Sequence, residues 1–561
     1  MMANLPALPA LEKKWLSFFI ALAVLVNFSG LFVTIMAPDA AIYAAISKNM
    51  LLRNNYWELF LEGNDWLDKP HFPFWVTALF FKVFGVHTWS YKLPGILFVM
   101  LGAWYTWRFA REQFNETIAW WSVFIFLTAE HIILSNNDVR AEPFLSGLIM
   151  AAIYHFYKAT VPKGFGHLVA GSFFAACAAM TKGPFTLIPI GGAVIVHLVL
   201  CKQWKQLFHL KWVAAVILTF IFLFPELYSL WYQFDAHPEK VVFGQTGVSG
   251  IRFFFWDSQF GRFMNTGPIK GSGDVFFFVH TLLWAFLPWS LLMYYALFRK
   301  IKTTWKKDPQ QPVEFYTLGG SLLLLLIFSF SRFQLPHYAN IIFPLLAIIT
   351  AQYLPVLPTK AIRFFTITQY IILVVSVLLM IALQVFYQPA MPFWGLAVVI
   401  VVLPGLLFFL PRWLHTTKFK LLLYRCGLGI IILNLYLNWF FYPDLLHYQA
   451  SSEAAFYLNK NFPDSAVVSL DPLPSALEFY VHNSFIKKDT ATVKASSPRT
   501  QHGLWYLSQQ DLTLLQQHNY RYEILKAWDY FHVTRLTLSF INKNTRTREL
   551  RKQYLIRVLP Y

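Results

Sequence analysis

FPFWVTALFFKVF, residues 72–84, is an apolar run of about 13 residues bracketed at its start by Pro70 and Pro73, whereas a membrane-crossing helix needs about 20. Whether it crosses decides the sidedness of everything that follows. The surrounding chain has 561 residues, 57% hydrophobic and 13% charged, far below the roughly one quarter charged that a soluble domain carries. Apolar runs recur near 15–36, 72–84, 91–108, 118–134, 142–157, 167–180, 184–201, 212–233, 275–298, 315–331, 337–355, 362–386, 392–410 and 422–442. That pattern is a polytopic α-helical membrane protein.

Suppose residues 72–84 do not cross. Lys13, Lys14, Arg108, Arg111, Lys158, Lys163, Lys202, Lys205, Lys211, Arg299, Lys300, Lys302, Lys306, Lys307, Lys360, Arg363, Arg412, Lys418 and Lys420 then share the side of the N-terminus. Only Arg140, Lys182 and Arg332 lie in short loops opposite. So one-sided a distribution is the positive-inside signal, and a crossing at 72–84 would invert it beyond that point. The reading is therefore thirteen spans with a cytoplasmic N-terminus, and 72–84 as a re-entrant or interfacial helix. Loops 37–90, 135–141, 234–274 and 332–336, and all residues after 443, fall outside the cytoplasm. Trp15–Met36 is too long for a signal-peptide core and lacks a cleavage site, so it reads as a retained first span.

The formal charge of +18 is spread over these short loops rather than along a stripe, which argues against a nucleic-acid partner. Cys177, Cys201 and Cys426 are dispersed among apolar spans, which argues against disulfides or a metal site. Residues 1–442 read as a membrane domain. Residues 443–561 change to mixed segments such as SAVVSL, SALEFYVHN and HGLWYLS, the pattern of a small α/β domain, with TRLTLSF and YLIRVLP expected as strands.

Ionisable groups at a membrane boundary are costly to desolvate, so they are the first place to look for chemistry. They crowd into PDAAIYAAISKNMLLRNNYWELFLEGNDWLDKPHFP, residues 38–73. Asp39 opens a helical pattern with Ile42, Ile46 and Met50 on one face, an amphipathic helix expected to lie on the membrane. Its carboxylate suits a helix cap or a base. Lys69, next to Asp68 and Pro70, suits a headgroup anchor or a phosphate contact. NNDVRAE, residues 136–142, reads as capping plus a local Asp138–Arg140 pair, or as a second carboxylate facing the first loop. Lys182 and Arg332 are positive on the side that should lack positive charge, which fits a nearby anion. Arg332, His337 and Tyr338 together suit a phosphate, although aromatic anchoring accounts for Tyr338 alone. SGIRFFFWDSQFGRF in the 234–274 loop, with Arg252, Asp257 and Arg262, suits flanking a lipid tail. All of these share one face, unlike a transporter, whose ionisable groups sit near the midplane of repeated broken helices.

An Asp shortly after the first span, an acidic-Lys-Pro element and the later SFSRFQLPHY together resemble the GT-C membrane glycosyltransferases. The branch is the aminoarabinose (lipid A) transferase-like one, related to protein O-mannosyltransferases. The resemblance runs from about residue 15 to Gln449. It implies an enzyme of the bacterial inner membrane that transfers a sugar from a polyprenyl (undecaprenyl) phosphate donor on the periplasmic face. The acceptor is lipid A, a protein or another envelope glycan, and the displacement is single and inverting. By this resemblance Asp39 and Asp138 are the catalytic carboxylates, and Asp68, Lys69, Arg332, His337 and Tyr338 contact the donor phosphate. Where the family carries Asp-Glu and then an Arg two positions on, this chain has Ala40 and Ile42, so Arg332 or Lys182 is expected to substitute. Asp68-Lys69-Pro70-His71 stands for acidic-Lys-Pro-Pro, and Gln334 for a Lys. No cofactor is specified, and a divalent metal is left open. A lipid-linked sugar flippase and a non-catalytic polyprenyl-phosphate-binding subunit are the alternatives.

Overall fold

The computed structural model describes residues 10–560 except 162–163, 268, 306–313, 393–394, 396–404, 406–408, 410–413, 415, 471–473, 483 and 496–501. The expected span at 392–410 lies almost wholly outside the described residues, as do Lys163, Lys306, Lys307 and Arg412.

The membrane domain opens with α1 (Ala10–Phe28), α2 (Asp39–Leu52), α3 (Phe72–Phe84), α4 (Thr88–Gln113), α5 (Glu116–Leu127), α6 (Glu130–Asn137), α7 (Ala141–Ala159), α8 (Phe165–Lys182) and α9 (Leu187–Leu200). Longer helices follow. Among the described residues Trp204–Asp235, Pro336–Val356, Thr359–Tyr387 and Lys418–Leu446 are each long and apolar enough to cross a membrane, and α5 with α6, bent by 50°, makes a fifth. α3 is one of the shorter apolar helices. Its first turn carries Pro73, whose missing N–H costs nothing there, and Gly85 ends it with a positive φ of 81°.

Lipid tails are as apolar as Leu, so helices in a membrane associate through close packing at small residues. A side chain at Gly147 of α7 would lie 2.2 Å from Phe98 O of α4, and one at Gly319 would lie 2.4 Å from Gly192 O of α9. α7 packs against α4 on one side and α8 on another, and because α7 and α8 run in succession as neighbours, the turns at Arg140 and Lys182 meet at the same end, where Lys182 reaches Glu142.

α2 is enclosed by protein rather than presenting one amphipathic face. Ala40, Ala41, Ala44, Ala45, Ile46 and Met50 are all buried, and so are Ser47 and Lys48. The Ala-rich surface lets the helix Ser475–Tyr480 approach from one side while α3 packs on the other. A single amphipathic face was the wrong expectation because the cover comes from more than 400 residues away.

Between α2 and α3, β1 (Phe60–Leu61) and β2 (Asn64–Asp65) form a small hairpin around Gly63. The C-terminal region builds a five-stranded sheet from β3 (Val467–Ser469), β4 (Phe485–Lys487), β5 (Gly503–Ser508), β6 (Tyr522–Tyr530) and β7 (Arg551–Val558). The order is β4-β3-β5-β7-β6, with β3 parallel to β4 and β5 and the remaining pairs antiparallel. Alternation along the strands fills two cores. Val467, Leu504, Tyr506 and Leu555 face Ala454 and Leu477, and Val468, Trp505, Leu507 and Ile556 face Leu512 and Leu515. YLIRVLP is a strand as expected. TRLTLSF is not: Thr537 Oγ1 accepts the Phe540 N–H and starts a helical turn at Leu538–Ile541. Phe540 stacks on Phe531 at 3.7 Å between centroids, which favours the turn over a strand.

Candidate active site

Asp39 is the first residue of α2, a position where the helix dipole favours a carboxylate. The flanking residue, Pro38, supplies no side-chain cap to the helix. Asp39 Oδ2 lies 2.5 Å from Arg140 Nη1, and 47% of the side chain remains exposed. Arg140 sits in the turn between α6 and α7 and also bonds Asp138 Oδ2 through Nη2 at 2.5 Å. The Asp138–Arg140 contact is therefore no isolated surface pair: one guanidinium joins two carboxylates from loops a hundred residues apart. Burial works against the charge of Arg140, but Asp138 and Asp39 outweigh it and raise its pKa further.

Asp68 and Lys69 follow the β-hairpin. Lys69 Nζ lies 2.5 Å from Asp68 Oδ2, and Arg262 of the 234–274 loop bonds Asp68 Oδ1. Burial pushes the Asp68 carboxyl up, yet Lys69 and Arg262 together hold it below its ordinary range. Burial also lowers the pKa of Lys69, with Asp68 opposing it. The turn is held from beneath by His71. Its N–H donates to Glu226 Oε2 at 2.9 Å, and its Nδ1 lies 3.1 Å from Glu226 Oε1, both side chains fully buried.

Lys182, at the end of α8, bonds Glu142 of α7, and its ammonium sits 3.6 Å above the centre of the Tyr338 ring. Gly183, with φ of 107°, lets the chain turn sharply there. His337 Nε2 is 3.7 Å from Glu142 Oε1.

These groups line two adjoining cavities. The polar one, about 220 Å³, is bounded by Asp39, Asp68, Lys69, Arg140, Glu142, Lys182, Arg262, His337 and Tyr338, with Tyr43 and Trp66. The second, about 390 Å³, is walled by Phe253, Phe254, Phe255, Phe260, Phe263, Phe185, Ile188, Leu230, Ile327 and Phe328. Asp68, Lys182, Arg262, Phe333 and Tyr338 belong to both. Beside the polar cavity Asp138 Oδ1, Arg140 Nε and Arg262 Nε are buried without a hydrogen-bond partner among the described residues. Buried polar atoms in a native structure are rarely left so, and where they are, an explanation such as a ligand or ordered water is called for.

Of the residues singled out from sequence, Asp39, Asp68, Lys69, Lys182, His337 and Tyr338 line the polar cavity, and Asp138 reaches it through Arg140. Arg332 does not converge with them. It is exposed and outside the lining of either cavity, and its N–H donates to Phe263 O at 3.0 Å. Arg262, Arg140 and Glu142 went unselected. For Arg262 the signal was a cation in an aromatic loop expected outside the cytoplasm, and for Arg140 its place among the few positive charges in the short loops expected on that face. Among the described residues no group of three or more His, Cys, Asp or Glu side chains is arranged to hold a metal.

Residues 68–229 match the family model described as dolichyl-phosphate-mannose-protein mannosyltransferase. An uncharacterized protein of Aquifex aeolicus (strain VF5) is 24% identical over 382 residues, covering 67% of this chain and 70% of that one. The undecaprenyl phosphate-alpha-4-amino-4-deoxy-L-arabinose arabinosyl transferase of Enterobacter sp. (strain 638) is 25% identical over 328 residues. That match covers 56% of this chain and spans only about half, 55%, of the enzyme's length. In three dimensions ArnT from Cupriavidus metallidurans, crystallised bound to undecaprenyl phosphate, aligns with a TM-score of 0.74. The alignment covers 97% of this chain and 98% of that one at 18% identity. The chain thus has the polytopic membrane fold of ArnT, and it resembles the GT-C glycosyltransferases of the aminoarabinose transferase type in sequence as well as in shape.

Proposed function

We propose that this protein is a glycosyltransferase that moves a sugar from an undecaprenyl-phosphate carrier to an acceptor at the periplasmic face of a bacterial inner membrane. The observation that carries the reading is the pair of joined cavities. An aromatic groove suited to an isoprenoid tail adjoins, at Asp68, Lys182, Arg262 and Tyr338, a polar chamber in which the cations Lys69, Arg140, Lys182 and Arg262 outnumber the carboxylates Asp39, Asp68 and Glu142. That is the shape and chemistry of a lipid phosphate, apolar along its length and anionic at its head.

In this reading Lys69 and Arg262 neutralise the carrier phosphate and make it a better leaving group, with Lys182 closing the same wall. Asp39 has one carboxylate oxygen on Arg140 and an open side toward the chamber, so it can accept the proton of an attacking hydroxyl. Where the acceptor is a phosphate, as on lipid A, little base catalysis is needed, and Arg140 and Asp39 orient the nucleophile instead. Asp138 keeps Arg140 in place. The attack is a single displacement with inversion at the anomeric carbon.

The finer architecture belongs to the same proposal. Thirteen spans, a cytoplasmic N-terminus, membrane domain 1–442 and periplasmic domain 443–561 put the chamber on the donor's side of the membrane. Mass spectrometry of envelope lipids and glycoproteins from cells lacking the protein tests the activity: one defined glycan should disappear and return with the wild-type gene. An unchanged envelope together with normal lipid-linked sugar on both faces would remove the transferase reading, and loss of the carrier from the outer leaflet alone would favour a flippase. Orientation is tested in a cysteine-free background, where Asn64→Cys should react with an impermeant thiol reagent in permeabilised-envelope cells while Lys302→Cys and Thr417→Cys should not.

A further inference from the structure

The helix that carries Asp39 is held at both of its ends by residues beyond 443. At the N-terminal end the buried Gln449 accepts the Ala37 N–H at 2.7 Å through Oε1 and donates to Ile35 O at 2.9 Å through Nε2. Tyr480 Oη accepts the Ile35 N–H at 2.9 Å and pairs with Thr88 Oγ1 at 2.9 Å. At the other end Lys48 Nζ donates to the carbonyls of Glu478 at 2.7 Å, Phe479 at 3.1 Å and Val481 at 2.5 Å, which are acceptors left open at the end of the helix Ser475–Tyr480. Asn49 Nδ2 donates to Glu478 Oε1 at 2.8 Å. The cations facing the donor phosphate are anchored differently: Lys69 and Arg262 on Asp68, and Lys182 on Glu142, all before residue 443.

We propose that the C-terminal domain is a positioning clamp for Asp39, acting chiefly through Gln449, and that it sets turnover without setting donor affinity. This rests on the reading of the protein as a transferase with Asp39 beside the reacting centre. Gln449 fixes the Ile35–Met36 and Met36–Ala37 peptides, one peptide short of Pro38, so a small displacement there is passed on to the carboxylate of Asp39. A displacement near 1 Å of a reacting group costs up to about 10²-fold.

The test uses the full-length protein in detergent or proteoliposomes. Gln449→Ala should lower kcat about 10- to 100-fold, leave the affinity for undecaprenyl phosphate within about twofold, and lose its effect in an Asp39→Asn background. Equal losses of kcat and carrier affinity, or an effect additive with Asp39→Asn, would overturn the clamp. Tyr480→Phe removes one acceptor and keeps the ring, and it carries the same expectations at smaller size should Gln449→Ala fail to fold. Amide hydrogen exchange over residues 35–48 is read in parallel. Faster exchange in either variant supports the clamp, and unchanged exchange overturns it. A wild-type protein that binds carrier but transfers no sugar would overturn the functional reading alone, and the exchange measurement would still decide the clamp.

Discussion

Two lysine–carboxylate systems in this molecule share their chemistry and differ in their surroundings. Lys300 and Glu314 lie 2.5 Å apart, almost wholly buried, and every contact closes back on the protein. Lys300 also donates to Gln352 at 3.0 Å, while Glu314 accepts the Thr317 N–H at 2.7 Å and the Thr317 hydroxyl at 3.0 Å. Lys69, Arg262 and Asp68 are also paired, but they are only half-buried and line two cavities, and Arg262 Nε has no hydrogen-bond partner among the described residues. A satisfied pair joins helices and is spent on the fold. A pair beside a cavity, with polar atoms left over, is arranged for something that arrives. Ionisation inside a membrane protein therefore marks a site only when the space around it is open.

Five substitutions press on that contrast. The largest effect is expected from Asp39→Asn, which should reduce sugar transfer by about 10²–10⁴ while leaving carrier binding nearly intact, because size and most hydrogen bonding are kept. Near-normal turnover in purified protein would take the base role from Asp39. Lys300→Met strands Glu314 in the interior and should destabilise the fold by about 3–5 kcal/mol, read as a lowered unfolding midpoint in detergent. The surviving folded fraction should bind carrier normally; a selective loss of binding would erase the distinction between the two pairs. Arg262→Ala and Lys69→Ala each remove a charge-assisted bond to phosphate worth about 1.5–3 kcal/mol, so the affinity for undecaprenyl phosphate should fall about 10- to 150-fold. Unchanged affinity in both would mean that the cavity wall does not hold the phosphate. Arg332→Ala should change affinity by less than about twofold, since the side chain is exposed away from both cavities. A tenfold loss would bring Arg332 back into the site.

The sequence reading located much of this chamber because a polar residue between apolar spans is conspicuous by its cost. Asp39, Lys69, Lys182, His337 and Tyr338 stood out on that ground. Sequence proximity then misled where the decisive partner was distant. Arg140 looked committed to Asp138, two residues away, and nothing local announces Asp39 on its other side. Arg332 obeyed the same charge rule as Lys182 but ends exposed, because the rule reports sidedness and not direction. Arg262 was visible only as one polar member of an aromatic loop. Local patterning also failed: the amphipathic reading of α2 missed its second cover, the helix Ser475–Tyr480, and the strand reading of TRLTLSF missed the threonine cap and the stacking of Phe540 on Phe531 that make Leu538–Ile541 helical.

The grip of Gln449 and Tyr480 on the segment before Asp39 also has a consequence for biosynthesis. The bonds at Ala37 and Ile35 span 412 and 445 positions of chain. A ribosome delivers Asp39 among the first residues inserted, whereas its final supports emerge only after nearly all the spans are made. Nascent chains that already reside in the bilayer would thus hold an unfinished catalytic loop until that last stretch folds over it. In the proposed transferase reading, chains released before Gln449 would be inserted in the membrane without the supports of Asp39 and would therefore not transfer sugar.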